Sequence, residues 1–185
     1  MSHKFIISPC MCKKFCILLL LKPCKSIMDR LMKPQFTVDD VYISPFKGRR
    51  VFDTNTGKVS YVPTDRNLHP TGVKVFDAYM RYIGSDNIFS LMSFTEQNGV
   101  SRPDFAGLCR VLTGMTSTDL FHEILFRLAD DLLRYTSMPV SEVARRCGAN
   151  TQQNLCLLFR KRYNCTPTER RRSLQRKGEA DMYCV

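Results

Sequence analysis

Residues 144–159 read ARRCGANTQQNLCLLF. The small polar run Asn150–Asn154 follows a glycine and separates two segments whose apolar residues recur with helical spacing. Downstream, Leu155, Leu158 and Phe159 fall on one stripe of a helix. Upstream, Ala144 stands four residues before Gly148, the spacing at which two helices joined by a tight turn come closest. The polar run is therefore expected to be the turn and leading edge of a second helix, rather than a loop. Asn150 or Thr151 is expected to cap that helix.

The same pattern occurs earlier in the chain. LCRVLTGMTST (Leu108–Thr118) aligns with LFRKRYNCTPT (Leu158–Thr168) at an offset of 50, and Gly99 aligns with Gly148 at an offset of 49. The second copy thus has one more residue in its turn. Thr95 takes the place of Ala144, and Phe105, Leu108 and Cys109 repeat the apolar stripe. Each copy ends in a capping pattern, Thr116 with Asp119 and Thr166 with Glu169, and Pro167 takes a favoured first helical position. Between the copies, Leu120, Phe121, Ile124, Leu125, Leu128, Leu132 and Leu133 define a helix over about 117–135. At 1.5 Å per residue it is a rod of roughly 28 Å. Successive major-groove faces of B-DNA recur at about 34 Å. A helix of this length suits two reading heads on one side of a duplex.

Charge points to the same partner. The 185-residue chain carries a formal net charge of +11, and the segment 140–177 alone holds net +8. Such a local excess is a statement about association with a polyanion, nucleic acid before membrane surface. At 44% hydrophobic, the chain has enough apolar residues for one domain of ordinary size or two small ones.

These residues resemble the DNA-binding domain of AraC/XylS-type bacterial transcription regulators. MPVSEVARRCGANTQQNLCLLFRKRYNCTPTERRR (Met138–Arg172) follows the family's second helix-turn-helix and closing helix. SLMSFTEQNGVSRPDFAGLCRVLTGMTS (Ser90–Ser117) follows the first more loosely, and the whole similarity runs from Ile88 to Ser173. The resemblance implies a mainly α fold with two helix-turn-helix subdomains on a long linker helix, preceded by a short segment containing a β-hairpin. It implies a cytoplasmic, sequence-specific transcription regulator that reads the major groove mainly through its second unit. Double-stranded DNA is then the partner, RNA polymerase or another protein a second class of partner, and no membrane, cofactor, metal or catalytic residue is called for.

Helical geometry turns Gln153, Cys156, Leu157 and Arg160 outward. Amide side chains offer a donor and an acceptor together, matching the major-groove edge of adenine. Thr151, Gln152, Gln153 and Asn154 are accordingly the expected base readers. Arg102, Arg110, Arg160, Lys161, Arg170 and Arg171 are the expected phosphate contacts, with Arg172 beside them. The family often has arginine where this chain has Leu157. In the first unit Pro103, Ala106 and Gly107 occupy the outward positions and offer almost no hydrogen bonding. Asp130 and Asp131 on the linker helix would repel DNA, and are expected on its outer side or on a surface for a protein partner.

The expected organisation is an N-terminal tail (1–34), a short segment with hairpin and helix (35–84), the DNA-binding domain (85–175) and a tail (176–185). Within the domain the first helix-turn-helix spans about 88–113, the second about 139–163 and the closing helix about 167–175. Alternation on both sides of Asn55–Gly57 predicts the hairpin, and Val75, Phe76, Tyr79, Met80, Tyr82 and Ile83 an amphipathic helix ending at Gly84. Family members often add an upstream effector-binding β-domain. The stretch before Gly84 is too short for all of it, which suggests control by abundance or by a partner docking on the hairpin.

The apolar run Phe15–Leu21 imitates a signal peptide but is too short to span a bilayer and lacks a cleavage site, so Met28 or Met32 is an alternative start. Nine cysteines without a convincing signal peptide read as reduced thiols. Two other readings stay open. One is a cysteine-based DNA-repair protein with Cys10, Cys12, Cys16 and Cys24 on zinc, against which their spacing argues. The other is an interaction adaptor with the same fold and weak sequence readout. His3, His69 and His122 form no recognisable catalytic motif.

Overall fold

The structure is a computed structural model and describes residues 33–67, 71–83, 90–176 and 179–185. The N-terminal cysteines, the run Phe15–Leu21, His69 and Gly84 lie outside the described residues. In chain order the elements are α1 (Val38–Val41), β1 (Gly48–Phe52), β2 (Val59–Pro63), α2 (Lys74–Ile83), α3 (Leu91–Gln97), α4 (Arg102–Thr113), α5 (Ser117–Tyr135), α6 (Val140–Arg146), α7 (Gln152–Tyr163), α8 (Pro167–Leu174) and β3 (Tyr183–Cys184). The chain is mostly helical, with a small antiparallel sheet in the order β2-β1-β3.

The repeat read from the sequence is a repeat of structure. Ser101 and Thr151 cap α4 and α7, each accepting from the amide three residues on, at 3.3 and 3.2 Å. In both turns an amide three residues past the helix end reaches back to the closely packed position: Val100 N–H to Thr95 O at 3.0 Å, and Ala149 N–H to Ala144 O at 2.9 Å. Gly99 and Gly148 both take positive φ, +63° and +83°, and the extra residue of the second turn, Asn150, is itself left-handed at +66°. A β-branched side chain is strained in that region. Gly148→Val is therefore expected to destabilise the fold by about 1–3 kcal/mol, read as a fall in denaturant midpoint; an unchanged midpoint would contradict this account of the turn.

Helix α5 connects the units and belongs to both cores. Its first turns send Leu120 and Ile124 into a cluster with Phe94, Phe105, Cys109 and Leu112 of the first unit. From Leu125 on, it packs with Val143, Ala144, Cys147, Leu155 and Phe159 of the second. The sequence-predicted stripe is thus shared in series along one rod, which fixes the two units on a common helix. Helix α2 completes the first core with Phe76, Tyr79, Met80 and Ile83, so that this unit is a three-helix packing on α5 rather than a bare helix pair.

The hairpin forms with Gly57 at φ +67° and register Phe52↔Val59 to Gly48↔Pro63. Its base is anchored and its tip is not. Phe46 lies buried with its ring 4.8 Å from Tyr183 and 5.7 Å from Tyr135, while Val51, Phe52, Val59, Tyr61 and Val62 remain exposed. The segment assigned to a C-terminal tail supplies β3, which pairs Tyr183 with Arg49 and Cys184 with Gly48. Arg134 grips Glu179 with two hydrogen bonds of 3.1 and 3.2 Å, and Asp181 accepts from Ser137 N–H at 3.0 Å. Neither contact has a periodic signature, since each joins an isolated polar residue to a partner more than 40 positions away.

Candidate nucleic-acid interface

Helices α4 and α7 present the same face. From Ser101 to Arg110 and from Thr151 to Arg160 the sequence of buried and exposed positions is identical: four exposed residues, a buried aromatic or leucine, then Ala106, Gly107 and Leu108 or Cys156, Leu157 and Leu158, then a buried residue and an exposed arginine. Both helices end in a left-handed cap, Gly114 at φ +74° and Asn164 at φ +53°. Apart from the closing arginine, Arg110 or Arg160, the outward side chains differ. On α7 they are Gln152, Gln153, Leu157, Arg160 and Lys161; on α4 they are Arg102, Pro103, Asp104, Gly107 and Arg110.

Two of the four expected base readers already make hydrogen bonds within the turn. Thr151 Oγ1 is the cap acceptor, and Asn154 donates through Nδ2 to Ala149 O at 2.9 Å, holding the turn against the helix. Their short polar side chains serve orphan amides and carbonyls at the helix start, a competition that a reading of exposure alone overlooks. Gln152 and Gln153 are exposed and make no side-chain hydrogen bond among the described residues.

The expected cation set also divides. Arg102, Arg110, Arg160 and Lys161 stay exposed without a side-chain hydrogen bond among the described residues. Arg170 and Arg171 do not. Arg170 forks onto Asp130 at 3.0 and 2.6 Å and lies 4.3 Å from the centre of the Tyr163 ring, whose hydroxyl also donates to Asp130 at 3.3 Å. The carboxylate bonded to it stabilises the Arg170 charge and raises its pKa. Arg171 donates to Met138 O, and burial pushes its pKa down. Both arginines fasten α8 to the rest of the second unit, Arg170 through the bidentate, ring-stacked contacts to which a planar guanidinium is suited and Arg171 through a single carbonyl. Of the triplet, Arg172 remains exposed.

The linker acids are explained by the same contacts. Asp130 holds α8, while Asp131 accepts from Tyr42 Oη at 2.7 Å and holds the segment after α1. Burial pushes the Asp131 carboxyl up and the Tyr42 phenol up, as expected for a pair withdrawn from water. A surface for a protein partner is not needed to account for either residue.

Glu142 is similarly occupied: hydrogen bonds from Arg145 and then Arg146 hold its carboxyl down at about 2. Asp104, which the sequence reading passed over, sits on the leading edge of α4, where Ser101 Oγ donates to it at 2.6 Å. Asp104 thus serves the cap of α4, next to the exposed Arg102. Its signal was the Ser-x-x-Asp spacing, the same cap pattern recognised at Thr116.

The fold and this face define two helix-turn-helix units on one linker helix. Residues 94–173 match the family described as a helix-turn-helix domain. Among curated proteins, the chain is 31% identical over 83 residues to the HTH-type transcriptional activator RhaR of Mannheimia succiniciproducens, a match covering 45% of this chain and 30% of that protein. It is 32% identical over 81 residues to RhaR of Enterobacter sp., covering 44% and 29%. The chain thus spans about 30% of the length of those relatives. The C-terminal domain of AraT, a response regulator from Geobacillus stearothermophilus, shares the fold with a TM-score of 0.50 at 23% identity, over 57% of this chain and 86% of that one. No helix among the described residues is long and apolar enough to cross a membrane.

Proposed function

We propose that the chain is a DNA-binding transcription regulator, with residues 85–175 as the DNA-binding domain. In this reading α4 and α7 enter the major groove of one duplex. Gln152 and Gln153 of α7 read base edges, and Arg102, Arg110, Arg160, Lys161 and Arg172 hold phosphates. The carrying observation is that two helices present the same exposed face, only one of which bears hydrogen-bonding amides flanked by exposed cations. Phosphate contacts supply affinity and position, while base contacts supply preference. The second unit therefore specifies and the first mainly positions. The curated relatives named as transcriptional activators support the regulatory role, and a regulator of bacterial genes works in the cytoplasm.

Competition binding at several salt concentrations separates the two roles. Gln153→Ala is expected to weaken binding to a preferred duplex by about 1–3 kcal/mol while leaving random duplex nearly unaffected. Arg160→Ala is expected to lower affinity for every sequence together and to flatten the slope of log affinity against log salt by about one. Arg170→Ala should behave as a stability change, with no change in that slope. Equal binding of the unaltered protein to all duplexes would sink the proposal.

A further inference from the structure

Leu157 is 65% exposed, the most exposed large apolar side chain among the described residues. Its place is unusual: the outward face of α7, four residues after Gln153, three before Arg160 and four before Lys161, all of them exposed. Residues at these spacings are neighbours on a helix surface. A leucine ringed by an amide and two cations has no packing role in the second core, which is closed by Leu155 and Phe159 on the opposite face. Its counterpart in α4 is Gly107, where even a Cβ would meet nothing within 4 Å.

Resting on the DNA-reading proposal, we infer that Leu157 is a specificity residue that packs on the C5-methyl group of a thymine. Thymine is the one base that offers an apolar group in the major groove, where apolar side chains distinguish it from the others. The flanking cations fit the phosphates on either side, so the face as a whole complements a duplex and not another apolar surface. Leu157 lies about 6 Å along the helix from Gln153, under two base steps of about 3.4 Å. The thymine therefore lies one or two base pairs from the pair read by Gln153.

The test begins with duplexes selected by the full chain from a random pool. Each thymine in the selected sequence is then replaced by uracil, which removes only the methyl group. One thymine, close to the position whose preference Gln153→Ala relaxes, is expected to lose about four-fold in affinity on replacement, as burial of one methyl-sized group implies. Leu157→Ala should bind the thymine and uracil duplexes equally, with an unchanged melting temperature because the side chain is exposed. Leu157→Arg should shift the preference at that position toward guanine. If no thymine is sensitive, or if the sensitivity survives in Leu157→Ala, the inference is wrong while DNA reading by the chain stands. If Leu157→Ala alters self-association but not thymine discrimination, the leucine is a contact between copies and the inference is again wrong. A pool that yields no preferred sequence removes the DNA-reading proposal and this inference with it.

Discussion

Tyr79→Ala is expected to destabilise the protein by about 3–5 kcal/mol, the range for deleting a large aromatic side chain from a packed core. Tyr79 is fully buried, its ring 5.2 Å from Phe94 and 4.8 Å from Phe105, so it touches both helices of the first unit. Its hydroxyl donates to Ser117 O at 2.9 Å, at the start of α5. One side chain from α2 thus joins α3, α4 and the linker helix. Its loss leaves a cavity where three elements meet. Below the melting temperature of the variant, overall affinity for DNA should fall while the order of preference among sequences is kept, because α7 is packed in the other core. Calorimetry and competition binding on the same preparation check both parts; a stability change below 1 kcal/mol would show that α2 is dispensable to the first unit.

Phe159→Ala should cost a similar amount, about 3–5 kcal/mol, with the opposite functional outcome. Phe159 is fully buried beneath α7, 5.7 Å from Phe126 of the linker and 5.3 Å from Tyr163. Tyr163 in turn sits under Arg170 and bonds Asp130. Removing Phe159 loosens the seat of the recognition helix and the clamp that closes the unit behind it. Sequence preference should then be lost before residual, salt-sensitive affinity is lost. Retention of full preference at a much lowered stability would show that α7 does not need this packing to present its outward face.

Much of the fold was legible because periodicity and capping are local. Thr151, Thr166 and Gly148 announce helix ends by what their own backbone requires, and the offset of 50 between Leu108 and Leu158 doubles each such signal. The shared core on α5 follows from a single long apolar stripe. What could not be read was pairing between distant polar residues. Arg170 and Arg171 look like the start of a basic patch, yet a carboxylate 40 residues away and a carbonyl 33 residues away engage them. Asn154 looks like a base reader by type and exposure, yet a local contact, five residues back at the carbonyl of Ala149, takes its amide. Composition identifies a cation or an amide; only tertiary geometry says whether its hydrogen bonds are already spent. The strand at Tyr183–Cys184 escaped for a related reason, since two residues are too few for alternation to show.

The central claim is that two unequal reading heads sit on one side of a duplex, held by α5. Hydroxyl-radical footprinting on a selected duplex tests it most directly. The account predicts two protected patches on one face of the DNA, about one helical turn of 10 to 10.5 base pairs apart, with Gln153→Ala weakening protection in one patch and leaving the other. A single patch, or two patches on opposite faces, would contradict it.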